Sequence, residues 1–144
     1  MTQTPAEMLY EGIQLTRPLL RNITKRVEAD LAGTGITVGQ RAIMEVLMLT
    51  GQATAPELTR ILELKRQFIG RELKDMLSKG MVQATPNPAR KGALIYRLTA
   101  QSDQTIRAMR EKGLREIAVF AERYTVEEIK AFLRIQKAIN DEFA

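Results

Sequence analysis

Residues 54–99, TAPELTRILELKRQFIGRELKDMLSKGMVQATPNPARKGALIYRLT, decide the fold that the sequence predicts. They read as a short helix, a turn and a longer basic helix (residues 65–80), then two short strands (81–85 and 94–98) around a basic loop. Apolar residues at steps of three and four predict the helices, and turn residues between β-prone segments predict the hairpin. The helix pair and the hairpin therefore form one unit.

The net positive charge of the chain lies in the same stretch. Residues 60–97 hold nine basic and three acidic side chains, whereas residues 1–59 have a net charge of −1 and residues 98–144 of 0. A localised basic patch attracts a phosphate backbone. The order helix, turn, helix and hairpin is that of a winged helix-turn-helix, so the two observations together predict a DNA-binding surface. The alternative is a solvated basic face.

The composition argues against an enzyme. The 144 residues contain no cysteine and no histidine, which excludes disulfides and thiolate sites and removes the commonest general base and metal ligand. No nucleophile–base pair, metal cluster or glycine-rich phosphate loop is visible, so neither a metal site nor a cofactor is expected. No apolar run reaches the roughly 20 residues of a membrane helix and no signal peptide is seen, which predicts a cytoplasmic protein without a membrane partner.

Helices with apolar stripes flank the central unit. Residues 5–33 read as one long helix, bent at Pro18 and ended by Gly33 and Gly35, and residues 100–144 read as two more helices. A stripe that continues to the chain end needs a partner, because it otherwise stands in water. We predict a mainly α chain with a small β-hairpin wing (α+β), in which residues 36–99 form the winged helix and residues 5–33 and 100–144 a helical dimerisation region.

Capping boxes mark three helix starts, at Thr37–Gln40, Thr54–Glu57 and Thr125–Glu128. The spacing of apolar residues then predicts which faces are buried. The helix after Thr37 buries Ile43, Met44, Val46 and Leu47, the short helix after Thr54 buries Leu58, Ile61 and Leu62, and the basic helix buries Phe68 or Ile69, Leu73, Met76 and Leu77.

The opposite face of the basic helix and the hairpin loop carry the predicted DNA contacts. On the helix, an amide and a guanidinium suit base edges in the major groove, and ammonium groups suit phosphates. On the loop, two adjacent cations suit a minor groove. The candidate DNA-binding residues are Lys65, Arg66, Gln67, Arg71, Lys74, Arg90 and Lys91.

Several short motifs, in this order, resemble the MarR family of winged-helix transcriptional regulators across roughly residues 9–143. They are Gly35-Ile-Thr-Val-Gly-Gln40, Glu57-Leu58, Arg71-Glu-Leu73 leading to Lys79-Gly80-Met-Val82, Asn87-Pro88 and Leu98-Thr99. The resemblance implies a homodimer whose terminal helices interlock and whose two winged helices bind a pseudo-palindromic operator. One departure lies in the wing, where Arg90 and Gly92 stand at the positions of the usual aspartate and arginine.

The resemblance also implies a ligand-responsive repressor that releases DNA when an aromatic or lipophilic anion binds. Candidate pocket residues have polar groups or flexible apolar side chains near the expected domain junction. They are Tyr10, Arg17, Met44 and Met48. Ordinary core packing is the alternative for both methionines. A winged helix that contacts other proteins, and a non-specific or architectural DNA binder, remain alternatives for the whole chain.

Overall fold

The computed structural model describes residues 2–144 as seven helices and three strands. One compact unit ends at Asp103 and contains every strand, and a second unit spans Gln104–Ala144. The elements, in chain order, are α1 (Pro5–Gln14), α2 (Thr16–Leu31), α3 (Val38–Thr50), β1 (Ala53–Thr54), α4 (Ala55–Leu62), α5 (Arg66–Ser78), β2 (Val82–Pro86), β3 (Leu94–Leu98), α6 (Ala100–Ala121) and α7 (Val126–Glu142). This order confirms the predicted fold class.

Capping boxes start four of the helices. Those at Thr37, Thr54 and Thr125 are present as predicted, with each threonine hydroxyl accepting from the backbone N–H three residues on. A fourth box, Thr4–Glu7, starts α1 and was missed, although its spacing is the same. Four helix starts are therefore set by side chains within one turn of each start.

The prediction of one helix over residues 5–33 is wrong, because Leu15 separates α1 from α2. Pro18 has no backbone N–H, so the carbonyl of Gln14 loses the donor that a continuous helix would place there. The break therefore lies one turn before Pro18 rather than at the proline. Gly33 and Gly35, both with positive φ, end α2 as predicted.

The wing is a three-stranded antiparallel sheet in the order β1-β3-β2. Strands β2 and β3 form the predicted hairpin, with Val82 opposite Leu98 and Pro86 opposite Leu94. Strand β1 was not predicted, because two residues are too short to show an alternating pattern. It pairs Thr54, the N-cap residue of α4, with Ile95 and so joins the wing to the start of α4.

The core of the first unit lies between α3, α4 and α5. Its fully buried apolar side chains are Ile43, Met44, Leu47, Leu58, Ile69, Leu73 and Met76. Ile69 is fully buried on the inner face of α5, whereas Phe68 is only half-buried. Two predicted core positions are wrong: Ile61 is 49% exposed and Leu77 is 38% exposed, because each lies at the edge of its helix's apolar face.

The second unit consists of most of α6 and all of α7. Its surface holds many large apolar side chains, among them Ile117, Phe120, Phe132 and Phe143. The ring centroids of Phe120 and Tyr124 are 5.5 Å apart. The Arg123 guanidinium lies over the Phe120 ring, 5.0 Å from its centroid. The predicted division into a winged helix and a dimerisation region stays a prediction.

Candidate nucleic-acid interface

Helix α5 separates its side chains into a buried face and a basic face. Ile69, Leu73 and Met76 are buried, and this anchors the helix on the core. Lys65 is the N-cap residue, in extended conformation, and the exposed side chains that follow are Arg66, Gln67, Arg71 and Lys74. All five helix residues predicted to contact DNA therefore lie at the surface.

The predicted contact residues are also free to bind. Within residues 2–144, none of the side chains of Lys65, Arg66, Gln67, Arg71, Lys74, Arg90 and Lys91 has a hydrogen-bond or ion-pair partner. Two other cations of the basic stretch are engaged. The Lys79 ammonium contacts Asp75 at 2.8 Å and the Gly35 carbonyl at 2.9 Å, and the Arg97 guanidinium donates to Thr85 and Gln52. The basic stretch thus contains both free and structural cations.

The wing loop is held by hydrogen bonds of Asn87 rather than by an acidic partner. The Asn87 side chain accepts from the Ala89 N–H at 3.0 Å, and the Asn87 N–H donates to the Ala93 carbonyl at 2.9 Å. Gly92 has a φ of 82°, which a side chain would strain. These bonds hold the loop that carries Arg90 and Lys91, although the wing has no aspartate.

A basic cleft of about 640 Å³ lies between the wing, the first turn of α4 and the start of α5. Arg66 from α5 and Arg90 and Lys91 from the wing line it together. Glu57 is the one acidic lining residue, and its carboxylate is held by the Thr54 hydroxyl at 2.9 Å. Tyr96 also lines the cleft, and burial raises the pKa of its hydroxyl. Because three cations surround this space, it suits a phosphate group.

Hydrogen bonds fix α5 to the start of α3. The fully buried Gln40 side chain donates to the Asp75 carboxylate at 2.7 Å and accepts from the Thr37 N–H at 3.1 Å. Asp75 in turn pairs with Lys79, and hydrogen bonds from Lys79 and Gln40 lower the pKa of Asp75. Sequence reasoning assigned Gln40 only to the capping box, since its second partner is 35 residues away.

Asp75→Asn is expected to remove stability near neutral pH and to matter less in acid. The pKa of Asp75 is lowered from 3.8, so its contribution to folding is present above that value and is lost as pH falls through the lower, folded-state pKa. The free energy of urea unfolding, measured from neutral pH to below 3.8, should therefore differ most between wild type and variant at neutral pH. Asp30→Asn is the control, because Asp30 has no such partner within residues 2–144. If the difference in unfolding free energy between wild type and Asp75→Asn grew in acid, the proposed role of the Asp75 carboxylate would be contradicted.

The four predicted pocket residues lie in different environments. Tyr10 is 65% exposed and lines a groove along one face of α1, and Arg17 is exposed on α2. Met44 is fully buried in the core, and Met48 is half-buried. The groove that contains Tyr10 is formed by α1 and the residues before it, and it includes none of the other three. The ligand pocket stays a prediction.

Among residues 2–144, no helix has both the length and the apolar character needed to cross a membrane.

Several solved structures share this architecture. At 40% identity, the chain is similar to a MarR family transcription regulator, with a TM-score of 0.87 over 96% of this chain and 91% of that chain. Mutant MarR from E. coli complexed with operator DNA gives a TM-score of 0.73 at 18% identity, covering 95% of this chain and 99% of that one. FabT from Streptococcus pneumoniae in complex with DNA gives a TM-score of 0.79 at 14% identity, covering 93% of this chain and 96% of that chain. No protein-family model and no curated protein matches the chain.

Proposed function

Because the chain belongs to the MarR family of transcription regulators, a non-enzymatic family, we propose that it regulates transcription by binding double-stranded DNA as a homodimer. The observation that carries this proposal is a set of seven exposed side chains, at the N-cap of α5, on α5 and on the wing, that have no partner within residues 2–144. Two proteins of the same fold, MarR from E. coli and FabT, have been solved with DNA. A cytoplasmic location accords with this role and stays a prediction.

The side chains on α5 divide into two kinds of contact. Gln67 carries an amide that can pair bidentately with adenine. Arg66 and Arg71 carry guanidinium groups whose paired N–H donors match the acceptors of guanine. Lys65, the N-cap residue, and Lys74 are both exposed and carry point charges suited to phosphates. In this arrangement α5 enters the major groove, while Arg90 and Lys91 extend the contact to the minor groove.

The apolar surface of the terminal helices supports a homodimer. In the first unit, Leu9, Ile13, Leu20 and Ile23 are exposed along α1 and α2, and in the second unit Ile117, Phe132, Leu133 and Phe143 are exposed along α6 and α7. A monomer rarely leaves so many large apolar side chains in water. A second copy of the chain covers such a surface symmetrically and places two winged helices on one DNA site.

We further propose repression relieved by an aromatic or lipophilic anion. Effector release requires that the ligand bind better to a spacing of the two winged helices that cannot reach adjacent major grooves. Tyr10, Arg17, Met44 and Met48 remain the candidate residues, and of these Tyr10 and Arg17 expose polar groups to solvent.

Selection from random duplex DNA at two salt concentrations, together with the mass in solution, tests the proposed function. An enriched inverted repeat with half-sites about one helical turn apart, and a mass of twice 16.2 kDa, are the expected results. Weak, steeply salt-dependent binding without an enriched site would favour a non-specific or architectural binder. No binding at all would favour a winged helix that contacts other proteins.

Arg90→Ala is expected to weaken DNA binding without changing which sequences are preferred. Loss of one phosphate or minor-groove cation from each of the two protomers should lower the slope of log affinity against log salt by about 2. Fluorescence anisotropy at several salt concentrations measures this slope. Lys112→Ala, an exposed cation on α6 outside the basic stretch, is the matched control and should leave the slope unchanged. An unchanged slope for Arg90→Ala would remove the wing from the interface.

A further inference from the structure

A second groove, apart from the basic cleft, lies within the first unit where the end of α2, the start of α3 and α5 meet. Its volume is about 440 Å³, within the range of sites that hold small organic ligands. Most of its lining is apolar, and the large apolar residues are Leu31, Ile36, Val38 and Phe68. The groove thus offers apolar contact to a ligand of modest size.

The ionisable groups that line this groove are both acidic. They are Glu28 from α2 and Glu72 from α5. Within residues 2–144, Glu28 has no hydrogen-bond or ion-pair partner, and Glu72 has no cationic partner and accepts from the Thr37 hydroxyl at 3.1 Å. Two carboxylates without a counter-ion, beside an aromatic ring, attract a cation and repel an anion.

The groove is also connected to the DNA-facing helix. Phe68 lies on α5 next to Gln67, and its ring lies against the backbone of α3 at Gly39. A Cβ atom at position 39 would be 2.6 Å from Cζ and 2.8 Å from Cε1 of that ring. The ring therefore has no clearance on the α3 side, and a ligand bound in the groove contacts the side chain that follows Gln67 on α5.

We propose that this groove binds a small organic cation with an apolar or aromatic body, and that its occupation lowers DNA affinity through Phe68 and α5. The cation binds between Glu28 and Glu72, with its apolar part against Phe68 and Ile36. Its charge is opposite to that of the anionic effector expected from the family resemblance. The effect on DNA rests on the proposed function, whereas binding of the cation does not.

The binding claim is tested without DNA, using three probes of one shape. 4-Phenylbutylamine carries the cation, 4-phenylbutanol is neutral and 4-phenylbutyrate is an anion. Amide chemical shifts should move for residues 28–39 and 68–72 with the amine and not with the butyrate. Glu28→Gln/Glu72→Gln, which keeps the acceptor for Thr37, should weaken amine binding about tenfold and leave the alcohol unaffected. Glu45→Gln, on α3 outside the groove, is the control.

Equal binding of amine and butyrate, or shifts confined to other residues, would overturn the site. The coupling is tested separately by titrating the amine in anisotropy measurements with a selected DNA site, where affinity should fall about fivefold or more in wild type and the double variant should need about tenfold more amine for the same loss. Amine binding with unchanged DNA affinity would overturn the coupling alone. Absence of any DNA binding would overturn the proposed function and leave the cation site standing.

Discussion

Ile69→Ala is expected to lower the free energy of unfolding by about 2–5 kcal/mol. Ile69 is fully buried on the inner face of α5, where it packs into the core with Leu73 and Met76. Truncation removes apolar contact and leaves a cavity that its neighbours fill only in part. The same change loosens the helix that carries four of the proposed DNA contacts, so DNA affinity should fall with stability although Ile69 itself is buried.

Urea unfolding measures this effect, with every variant at one protein concentration because a dimer's stability depends on it. Ile61→Ala is the matched control, since it is the same substitution on the preceding helix at a side chain that is 49% exposed. It should cost less than about 1 kcal/mol. Similar losses for both variants would mean that α5 is not anchored by its inner face.

Gln67→Ala is expected to reduce DNA affinity by about 1–3 kcal/mol for each half-site, with the loss confined to one base pair of each half-site. The Gln67 side chain is exposed on α5 and has no partner within residues 2–144, so its amide is free to pair with a base. On DNA already altered at that base pair, the variant and wild type should bind equally. The sequence preference should therefore relax at one position and persist elsewhere.

Affinity for a panel of single-base variants of the selected site checks this expectation. Lys74→Ala, on the same exposed face of α5, should weaken binding to every member of the panel alike, as loss of a phosphate contact does. If Gln67→Ala lowered the affinity for every DNA in the panel equally, Gln67 would contact the DNA backbone rather than a base. A position-specific loss for Lys74→Ala would place the lysine at a base instead.

The sequence predicted most of the fold because its signals are local. The capping boxes at Thr37, Thr54 and Thr125 act within one turn, and each marked a helix start correctly. The helical spacing of Phe68 or Ile69, Leu73, Met76 and Leu77 predicted the buried face of α5, on which Ile69, Leu73 and Met76 are buried. The errors arose where longer-range factors decide the outcome: β1 exists only because it pairs with β3, and Ile61 is exposed by the way α4 packs.

The candidate interface was predicted less completely. Residue type and helical period placed Gln67 and Arg71 on the exposed face, but could not separate free cations from structural ones. Arg97 belongs to the same basic stretch, yet its guanidinium is bound to Gln52 and Thr85, which lie on other elements. Lys79 is likewise held by Gly35, 44 residues away. Only the tertiary structure brings such partners together.

The contact between Gly39 and Phe68 has a consequence for how this sequence can diverge. A methyl group at position 39 and an aromatic ring at position 68 cannot occupy the observed space together, since 2.6 Å is far inside van der Waals contact. The two positions should therefore covary among relatives, with alanine or serine at 39 accompanied by a smaller residue at 68. A designed exchange follows the same rule: Gly39→Ala alone should destabilise the fold, and Phe68→Leu should restore part of the loss.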